Sequence, residues 1–490
     1  MNSDLHAFSR RALLKGATAS ASLLATPETL YAKAAAETGV AWGLATRDLD
    51  GDVAPHVMRP VSGRLPAGLE GTLFRNGPAK FRRPGGTAAH WFDGDGLMRA
   101  YRVQDGQAVF DARFADTPKR RRETQLDAVV TPGFGTLGDD RAQVERSDDA
   151  SPANIAVMRA GTSVWALWEV GSPLAMSADD LSTRGFVTLR EDLRGMPFQA
   201  HPRHDPDGSI WNIGVNGSAA VIWHLAADRS LNRADILTLP RASYIHDFTA
   251  TARHLVIVLQ PLIYQRNGFP FIDQYMWQGE LGTLVVVIDK ADLSHQRIYE
   301  LPSFSFFHLG DAWEDLAGTI RFDVARYPDP TFALEGGKRL IEGRSSVPGV
   351  EATLERVTLT ADGRASLTSS GVSAEFPHGD PRRAGLSQCL TVHVSGQRPE
   401  APLPSTLATW NWDTGVADRF DFGAEQIVEE PLMVPKPGSA DDAWVVVPTL
   451  NLAAQASELH LFEVGRLSAG PVASLRADVA VPVGFHGTWA

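Results

Sequence analysis

Cysteine is almost absent from this sequence. Its 490 residues contain a single cysteine, Cys389, which excludes disulfide bonds within the chain and metal sites built from several thiolates. Any metal ion bound by this chain must therefore be held by nitrogen or oxygen ligands.

An excess of positive charge and long apolar segments are also missing. The 46 basic residues are outnumbered by 58 acidic ones, which gives a net charge of -12, so nucleic acid is not expected as a partner. Beyond the N-terminal region, no run approaches the ~20 apolar residues that a membrane-spanning helix needs. With 43% hydrophobic residues, the chain can still bury a large core.

The first 36 residues differ from the rest of the sequence. The pair Arg10-Arg11 precedes an apolar run of small residues at 17–25, and residues 34–36 supply an A-x-A cleavage pattern. This arrangement resembles a twin-arginine export signal. We predict an export signal at 1–36 and one domain at 37–490, which is periplasmic if the signal operates and cytoplasmic otherwise.

Helical periodicity is missing after this signal, and short β-branched or aromatic runs alternate with Gly, Pro, Asp and Asn. Examples of such runs lie at 255–259, 284–288 and 444–448. The pattern is typical of strands and turns, and it predicts an all-β fold. A β-propeller would shelter its sheet edges without closing a very large barrel, and two tandem sandwiches are the alternative. No repeat of blade length is visible, so the pattern alone does not decide between them.

Four of the fourteen histidines lie among aromatic residues and are flanked by Gly, Pro or Asp. They are His201, His246, His308 and His486, separated by 45, 62 and 178 residues. These separations fit no local metal-binding motif of the HExxH kind. A site built from these histidines would have to be assembled by tertiary structure.

Six motifs in order resemble those of the carotenoid cleavage oxygenases, a family that includes lignostilbene-cleaving enzymes. Two of them form the family's opening signature, Gly71-Thr-Leu-Phe-Arg-Asn-Gly-Pro78 and His90-Trp-Phe-Asp-Gly-Asp-Gly-Leu-Met98. The other four are Ala-His-Pro at 200–202, Ile-His-Asp-Phe at 245–248, Phe-His at 307–308 and Gly-Phe-His-Gly-Thr-Trp at 484–489. The resemblance covers about residues 41–490 and is highly specific, because chance does not place six such motifs in order.

This resemblance implies a seven-bladed β-propeller with irregular loops and short helices capping its iron-bearing face. It also implies one Fe(II) per chain, bound by His201, His246, His308 and His486, with dioxygen as co-substrate. Four neutral imidazoles suit Fe(II) and would leave two coordination positions open. The implied reaction cleaves a C=C bond of an apocarotenoid, carotenoid or related conjugated alkene into two carbonyl products.

Three glutamates in apolar surroundings resemble the family's carboxylates that accept a hydrogen bond from the ligand imidazoles. They are Glu169, Glu375 and Glu430, and such partners fix the orientation of a metal-bound histidine. The sequence does not show which glutamate supports which histidine. No further catalytic residue and no organic cofactor are predicted, because the resemblance assigns all four histidines to iron.

The irregular apolar stretch at 261–277 corresponds to part of the family's cap and of its apolar entrance. A buried connection between blades is the alternative interpretation. As an entrance, the stretch would admit a hydrophobic alkene, with weak peripheral contact to a membrane surface. No oligomeric state is predicted.

Two departures from the family pattern bear on the substrate. Leu309-Gly310-Asp311 follows the third motif histidine where the family commonly has an asparagine, and the run at 147–154 lacks the lysine that lignostilbene-cleaving enzymes use to hold a phenol. An apocarotenoid is therefore favoured over a lignostilbene or other phenylpropanoid alkene. A non-cleaving isomerase and a propeller that only binds hydrophobic molecules are further alternatives on the same scaffold.

The other histidines are given structural interpretations. Seven of them are predicted to be surface or turn residues, namely His204, His224, His254, His295, His378, His393 and His460. His90 is not assigned to iron. The neighbouring Asp93 and Asp95 are interpreted as part of a turn that caps strands, because the full twelve-position calcium loop is missing.

Overall fold

A computed structural model describes residues 41–265, 268, 270–344, 351–398 and 401–490. The predicted export signal at 1–36 and its boundary with the domain lie outside these residues and stay predictions. The described residues form 36 strands and only two short α-helices. The all-β prediction is therefore confirmed.

The strands are short, as the turn-rich sequence predicts. Those of the first half are β1 Val53–Val57, β2 Arg59–Gly63, β3 Gly71–Lys80, β4 Arg82–Arg83, β5 Gly86–Thr87, β6 Asp95–Gln104, β7 Gln107–Phe114, β8 Ala156–Ala160, β9 Ser163–Leu167, β10 Leu174–Ser177, β11 Thr183–Phe186, β12 Arg203–His204, β13 Ile210–Asn216, β14 Ala219–Leu225, β15 Leu231–Thr238, β16 Thr249–Ala250, β17 His254–Leu259, β18 Leu262–Tyr264 and β19 Tyr275–Trp277. Those of the second half are β20 Thr283–Asp289, β21 Gln296–Leu301, β22 Ser305–Leu309, β23 Trp313–Glu314, β24 Ile320–Tyr327, β25 Thr353–Leu359, β26 Ala365–Ser373, β27 Glu375–His378, β28 Leu390–Ser395, β29 Thr406–Asn411, β30 Val416–Asp421, β31 Gln426–Val428, β32 Leu432–Pro435, β33 Ala443–Asn451, β34 Ala456–Glu463, β35 Ala473–Arg476 and β36 Gly487–Trp489.

Helical segments are few and lie between strands. The α-helices are α1 Pro118–Leu126 and α2 Gly337–Ile341, and a π-helical turn at Phe332–Gly336 runs directly into α2. Helix α1 begins after Thr117, whose hydroxyl accepts a hydrogen bond from the Arg120 N–H, with proline at its first position. Single 3₁₀ turns lie at Ala41–Thr46, Trp91–Asp93, Asp140–Ala142, Ser147–Ala150, Glu191–Leu193, Phe271–Gln274, Gly279–Leu281, Pro381–Arg383 and Leu467–Ala469.

Seven antiparallel sheets form the blades of a propeller. Their strand orders are β36-β3-β6-β7-β1, β8-β9-β10-β11, β12-β13-β14-β15, β16-β17-β20-β21, β22-β24-β25-β26, β27-β28-β29-β30 and β31-β33-β34-β35-β2. In addition, β23 pairs with β24 and β32 with β33, while β18 and β19 form a separate hairpin inserted into the fourth blade. The seven-bladed propeller is thus confirmed, and the alternative of two tandem sandwiches is wrong.

Two strands from distant parts of the chain close the ring. The early strand β2 pairs with β35 in the seventh blade, and the last strand, β36, pairs with β3 in the first blade. Strand pairing in both the seventh and the first blade therefore joins the two ends of the ring. This pairing also orders the segment that carries His486.

The apolar cores lie between neighbouring blades. In β17, Leu255 and Ile257 pack towards the third blade, whereas Val256 and Val258 pack towards the fifth. Both faces of this strand are buried, which explains its continuous apolar run. Burying a Val, Leu or Ile side chain contributes about 1.5–3 kcal/mol. None of the described helices is long and apolar enough to span a membrane.

A cap of loops and helical turns covers one end of the propeller. Backbone hydrogen bonds join two of its segments: the Phe271 N–H donates to the Gly133 carbonyl (2.9 Å) and the Ile272 N–H to the Phe134 carbonyl (3.0 Å). The π-helical turn contributes Phe332, whose ring stacks on Tyr327. The cap thereby places aromatic rings above the centre of the ring of blades.

Candidate metal centre

The four predicted histidines meet at the centre of the propeller. His201 directly precedes the short segment that leads into β12, His246 lies just before β16, His308 lies within β22, and His486 immediately precedes β36. One ring nitrogen from each lies within 4.8 Å of those of the other three. Each histidine therefore comes from the first strand of a different blade or from the segment before it, and the blades hold the four together.

The imidazoles face one another through Nε2. The Nε2 atoms of His201 and His246 are 3.1 Å apart, and those of His308 and His486 are 3.2 Å apart. All four rings are buried or half-buried. Four histidine ring nitrogens this close together form a site that suits a single metal ion.

Each of the three predicted glutamates accepts a hydrogen bond from a different histidine. His246 Nδ1 contacts Glu169 Oε1, His308 Nδ1 lies 2.6 Å from Glu375 Oε2, and His486 Nδ1 lies 2.7 Å from Glu430 Oε1. An ionised carboxylate only accepts hydrogen bonds, so the proton of each of these rings lies on Nδ1. Nε2 is then left with a free lone pair directed at the centre. Within the described part of the chain, His201 has no carboxylate partner.

Buried donors hold two of the glutamates in place. Tyr244 donates its hydroxyl to Glu169 Oε1 (3.2 Å), and Tyr327 donates to Glu375 Oε1 (2.5 Å). Burial and the adjacent carboxylates raise the pKa of both tyrosines well above the usual value, so they stay protonated and continue to donate. The carboxylates are thereby fixed in the orientation that the histidines require.

Glu430 has the largest number of partners among the three glutamates. Its Oε2 accepts from Arg75 Nη1 (2.9 Å) and from the Gly487 N–H (2.7 Å), while Oε1 accepts from His486 and from His378 Nε2 (2.8 Å). Burial opposes its ionisation, but the neighbouring His486 and His378 hold the pKa of Glu430 well below the usual value. Glu430 is therefore an acceptor throughout the neutral pH range.

The donor set fits a cation that prefers nitrogen ligands. Burial lowers the pKa of His486 to about 3 and that of His201 well below its usual value, so both rings are neutral at pH 7. With their protons on Nδ1, His308 and His486 turn only Nε2 lone pairs towards each other, at 3.2 Å. A transition-metal ion at the centre would convert this repulsion into coordination.

An apolar cavity lies on the cap side of the centre. It encloses about 1030 Å³ of space, part of it open to solvent, and His246, His308 and His486 form its floor. Its walls are mainly apolar and include the aromatic rings of Phe92, Phe134, Trp168, Phe307, Phe332 and Phe485. Two rings contact ligand histidines directly: Phe307 packs edge-on against His246 (5.0 Å between centroids), and Phe376 packs against His308 (4.6 Å).

A second cavity adjoins the first and shares Phe134, Trp168 and Glu169 with it. Its outer wall includes Tyr264, Phe271 and Tyr275, which belong to the stretch at 261–277. The described residues of this stretch form the β18–β19 hairpin and a 3₁₀ turn. The stretch thus lies in the cap beside the cavity, as the resemblance implied, and is not a buried connection between blades.

A polar channel reaches the centre from the opposite side. It is lined by His201, His308 and His486 together with charged or polar side chains, among them Arg203, Asp247, Asp311 and His378. Arg203 forms ion pairs with Asp247 (2.7 Å) and Asp311 (3.3 Å) at this channel. The histidine cluster therefore separates an apolar cavity from a polar one.

Several predictions for the other histidines are wrong. His254, His393 and His460 are buried in strands and not exposed in turns, because both faces of these strands are covered by neighbouring blades or strands. His378 is not an isolated surface residue, since it contacts Glu430. His204 and His295 are exposed, as predicted, whereas His224 is half-buried within β14.

The signature His90-Trp-Phe-Asp-Gly-Asp is structural, as predicted. His90 is fully buried, and its Nδ1 accepts the Phe92 N–H (3.1 Å). Asp93 accepts hydrogen bonds from the loop at 134–136, and Asp95 forms ion pairs with Arg83 and Lys119. These carboxylates are occupied by protein donors, so the turn joins cap segments and does not form a calcium loop.

Sequence reasoning missed the residues that hold the glutamates. Tyr244 lies two positions before His246, and alternation along an extended segment could have placed both side chains on one side. Tyr327, His378 and Arg75 are distant in sequence from the ligands that they support. No local pattern in the sequence marks Tyr327 or His378, and the opening motif at 71–78 contains Arg75 without showing what it contacts.

The fold and the site together define a class of protein, a seven-bladed β-propeller with a four-histidine cluster of the kind that binds metal ions, next to an apolar cavity. The family model of the retinal pigment epithelial membrane protein matches residues 48–490. The chain belongs to this family, which includes the carotenoid cleavage oxygenases, and the resemblance seen in the motifs is confirmed.

Individual relatives have similar lengths and folds. The chain is 26% identical to the apocarotenoid-15,15'-oxygenase of Synechocystis sp. over 461 residues, which cover 88% of this chain and 92% of the relative. It is 25% identical to resveratrol cleavage oxygenase 1 of Aspergillus fumigatus, covering 90% of this chain and 93% of that one. The crystal structure of a cobalt-substituted Synechocystis apocarotenoid oxygenase superimposes with a TM-score of 0.82 at 22% identity, covering 92% and 98% of the two chains.

Proposed function

We propose that this protein is an Fe(II)-dependent dioxygenase that cleaves one C=C bond of an apocarotenoid or similar conjugated alkene. The observation that carries the proposal is the set of four histidine ring nitrogens within 4.8 Å of one another, with three of the rings on the floor of an apolar cavity. The family and the names of its relatives support the enzyme class. His201, His246, His308 and His486 would hold the iron, one ion per chain.

Bound iron(II) would supply the activation of dioxygen, for which four neutral ligands leave two positions open. Both oxygen atoms would enter the products, so that the alkene and dioxygen yield two carbonyl compounds and no external reductant is needed. Glu169, Glu375 and Glu430 would keep the proton of their histidine partners on Nδ1, which leaves Nε2 free for the metal. No protein side chain is assigned as a general acid or base.

The aromatic cavity would bind and orient the alkene. Rings such as Phe307 and Trp168 offer faces on which a planar conjugated chain can pack, and they exclude water from the reacting bond. The adjoining outer cavity extends this surface along the β18–β19 hairpin. A long apolar substrate would occupy both cavities, whereas a short one would fit within the inner cavity alone.

A hydroxystilbene is the second candidate substrate, because one relative is a resveratrol cleavage oxygenase. The cavity offers little to hold a phenolate. Lys119 borders it, but its ammonium group is engaged by Asp95 (2.8 Å) and Glu123 (3.0 Å). We therefore place an apocarotenoid before a stilbene.

The test supplies anaerobically reconstituted, iron-loaded protein with air and a panel of apocarotenals, carotenes and hydroxystilbenes. Aldehydes detected by mass spectrometry are expected from at least one apocarotenal. Protein that retains no stoichiometric iron after reconstitution would contradict the enzyme proposal. A substrate that is isomerised or only bound, with no cleavage product, would instead support one of the non-cleaving alternatives.

Two proposals concern the location of the protein. Export by the twin-arginine route would carry the folded, metal-loaded protein to the periplasm, and the supporting motif lies in residues 1–36. Weak peripheral membrane contact would give a hydrophobic substrate access to the cavity. Cell fractionation of the full-length protein and of an Arg10→Lys, Arg11→Lys variant tests the first, and vesicle flotation tests the second.

A further inference from the structure

Of the three glutamates that orient the ligand histidines, Glu430 is supported differently from the other two. Glu169 and Glu375 border the apolar cavity and are held by the buried hydroxyls of Tyr244 and Tyr327. Glu430 borders the polar channel, where His378 Nε2 donates to it. The side chain of His378 is 35% exposed, whereas that of Glu430 is only 2% exposed.

The four hydrogen bonds to Glu430 are divided between its two carboxylate oxygens. Glu430 Oε1 accepts from His486 Nδ1 at 2.7 Å and from His378 Nε2 at 2.8 Å, while Oε2 is occupied by Arg75 and the Gly487 N–H. His378 and His486 thus share one carboxylate oxygen. Rotation of the carboxylate would break both hydrogen bonds together.

A bulge in β27 places His378 at this position. Glu375 pairs with Val394 and His378 with Val392, so three steps along β27 match two steps along β28. Phe376 takes up the extra residue with a φ of 54°, which is unusual for an aromatic side chain. In a regular strand, residues three apart point to opposite faces, but the bulge lets both Glu375 and His378 face the metal centre.

The two ends of β27 therefore support two different ligands. Glu375 accepts a hydrogen bond directly from His308 Nδ1, and His378 acts on His486 through Glu430. The ring of Phe376, between them in sequence, packs against both His308 (4.6 Å) and His486 (5.3 Å). One short strand thus positions half of the histidine cluster.

We propose that His378 is a positioning residue of the metal centre, which fixes Glu430 and through it the orientation of His486. The inference rests on the proposed function, because it presumes that the four histidines hold a metal ion. Loss of partners beyond the ligands typically lowers metal affinity 10- to 100-fold. His378 acts through Glu430, and three other donors remain on that carboxylate. We therefore expect removal of the His378 ring to lower metal affinity by an amount near the lower end of this range, about 10-fold.

The experiment compares metal release from five proteins: wild type, His378→Leu, His378→Ala, His378→Gln and His204→Leu. Each is loaded with Fe(II) or, in parallel, with Co(II), and release to a chelator is followed under anaerobic conditions. His378→Gln keeps an N–H donor in reach of Glu430. His204→Leu is the matched control, because His204 lines the same channel and has no hydrogen bond to any of the three glutamates.

We expect release from His378→Leu to be about 10-fold faster than from wild type, with a shifted Co(II) d–d absorption spectrum. His378→Gln should restore both towards wild type, and His204→Leu should leave both unchanged. Melting temperatures of the metal-free proteins show whether a variant is misfolded. Since His378 is partly exposed, we expect these melting temperatures to agree closely. His378→Ala provides a second truncation of the same side chain.

Three outcomes would overturn the inference. Wild-type release rates in both His378→Leu and His378→Ala would show that Glu430 does not need this donor. Equal acceleration by His204→Leu would show that the polarity of the channel, and not the contact with Glu430, controls release. Wild-type protein that takes up neither metal would overturn the proposed function itself, and the inference with it.

Discussion

Arg75 lies directly opposite Gly487 in the strand pair that closes the propeller. Its guanidinium donates to Glu430 Oε2 (2.9 Å), and the Gly487 N–H donates to the same oxygen (2.7 Å). Glu430 in turn accepts from His486, the residue before Gly487. The closing strand and the orientation of the fourth histidine are therefore parts of one hydrogen-bonded arrangement, and we expect ring closure to be coupled to metal binding.

Deleting residues 484–490 should abolish metal binding and lower stability. The deletion removes His486, the pairing of β36 with β3, and the buried ring of Phe485, whose burial alone contributes about 1.5–3 kcal/mol. It also removes the His486 and Gly487 donors from the buried carboxylate of Glu430. Metal analysis and thermal unfolding check this prediction, and a truncated protein with full metal content and the wild-type melting temperature would refute it.

Replacing His246 by alanine should reduce bound iron to less than one tenth of the wild-type content and abolish any cleavage product. The ring supplies one of four ligand atoms, and without it Glu169 is left buried beside an empty position. Iron per chain and aldehyde yield are the measurements. The control is His295→Ala, because that side chain is 79% exposed. Retained activity in His246→Ala would show that the ligand assignment is wrong.

The Glu375→Gln substitution should weaken metal binding about 10- to 100-fold with little change in fold. The amide keeps the shape of the side chain, but it carries no charge and can turn an N–H towards His308 Nδ1, which favours the wrong tautomer. Equilibrium competition with a chelator measures the affinity. Glu342→Gln serves as the control, since its side chain is 54% exposed, and equal affinities of the two variants would contradict the prediction.

Acid should destabilise the metal-free protein, and His90 should account for one of the protons involved. Burial lowers the pKa of His90 from its ordinary value of 6.5 to about 3. Between these values the unfolded chain binds a proton that the folded protein does not, so stability falls as the pH decreases from 6.5 to 3. This one group accounts for about 1.4 kcal/mol per pH unit within that window.

The His90→Asn variant tests the assignment, because asparagine can accept the same Phe92 N–H at the start of a helical turn. The free energy of unfolding of the metal-free protein is measured between pH 6.5 and 4. The free energy of unfolding of the variant should depend less steeply on pH than that of the wild type. The difference in slope should correspond to the uptake of nearly one proton, whatever the variant's absolute stability. An unchanged slope would mean that His90 is protonated in the folded protein.

The motifs predicted the four histidines and the three glutamates, but not how they pair. Pairing depends on which blades are neighbours, and it is fixed by contacts such as that between His246 and Glu169, which are 77 residues apart. The role of His378 depends on the bulge at Phe376, since a regular strand would turn that histidine away from Glu375. Neither feature has a signature in the local sequence.

The sequence by itself determined the all-β class, through its short β-branched runs and turn residues, and it restricted any metal ligands to nitrogen and oxygen, through its single cysteine. Tertiary structure decided that four histidines separated by 45, 62 and 178 residues share one centre, which the motif resemblance implied but their spacing does not show. It also decided that His254, His393 and His460 are buried. The physical reason is the same in each case: local patterns act over a few residues, whereas burial and ligand geometry depend on the blades packed against each strand.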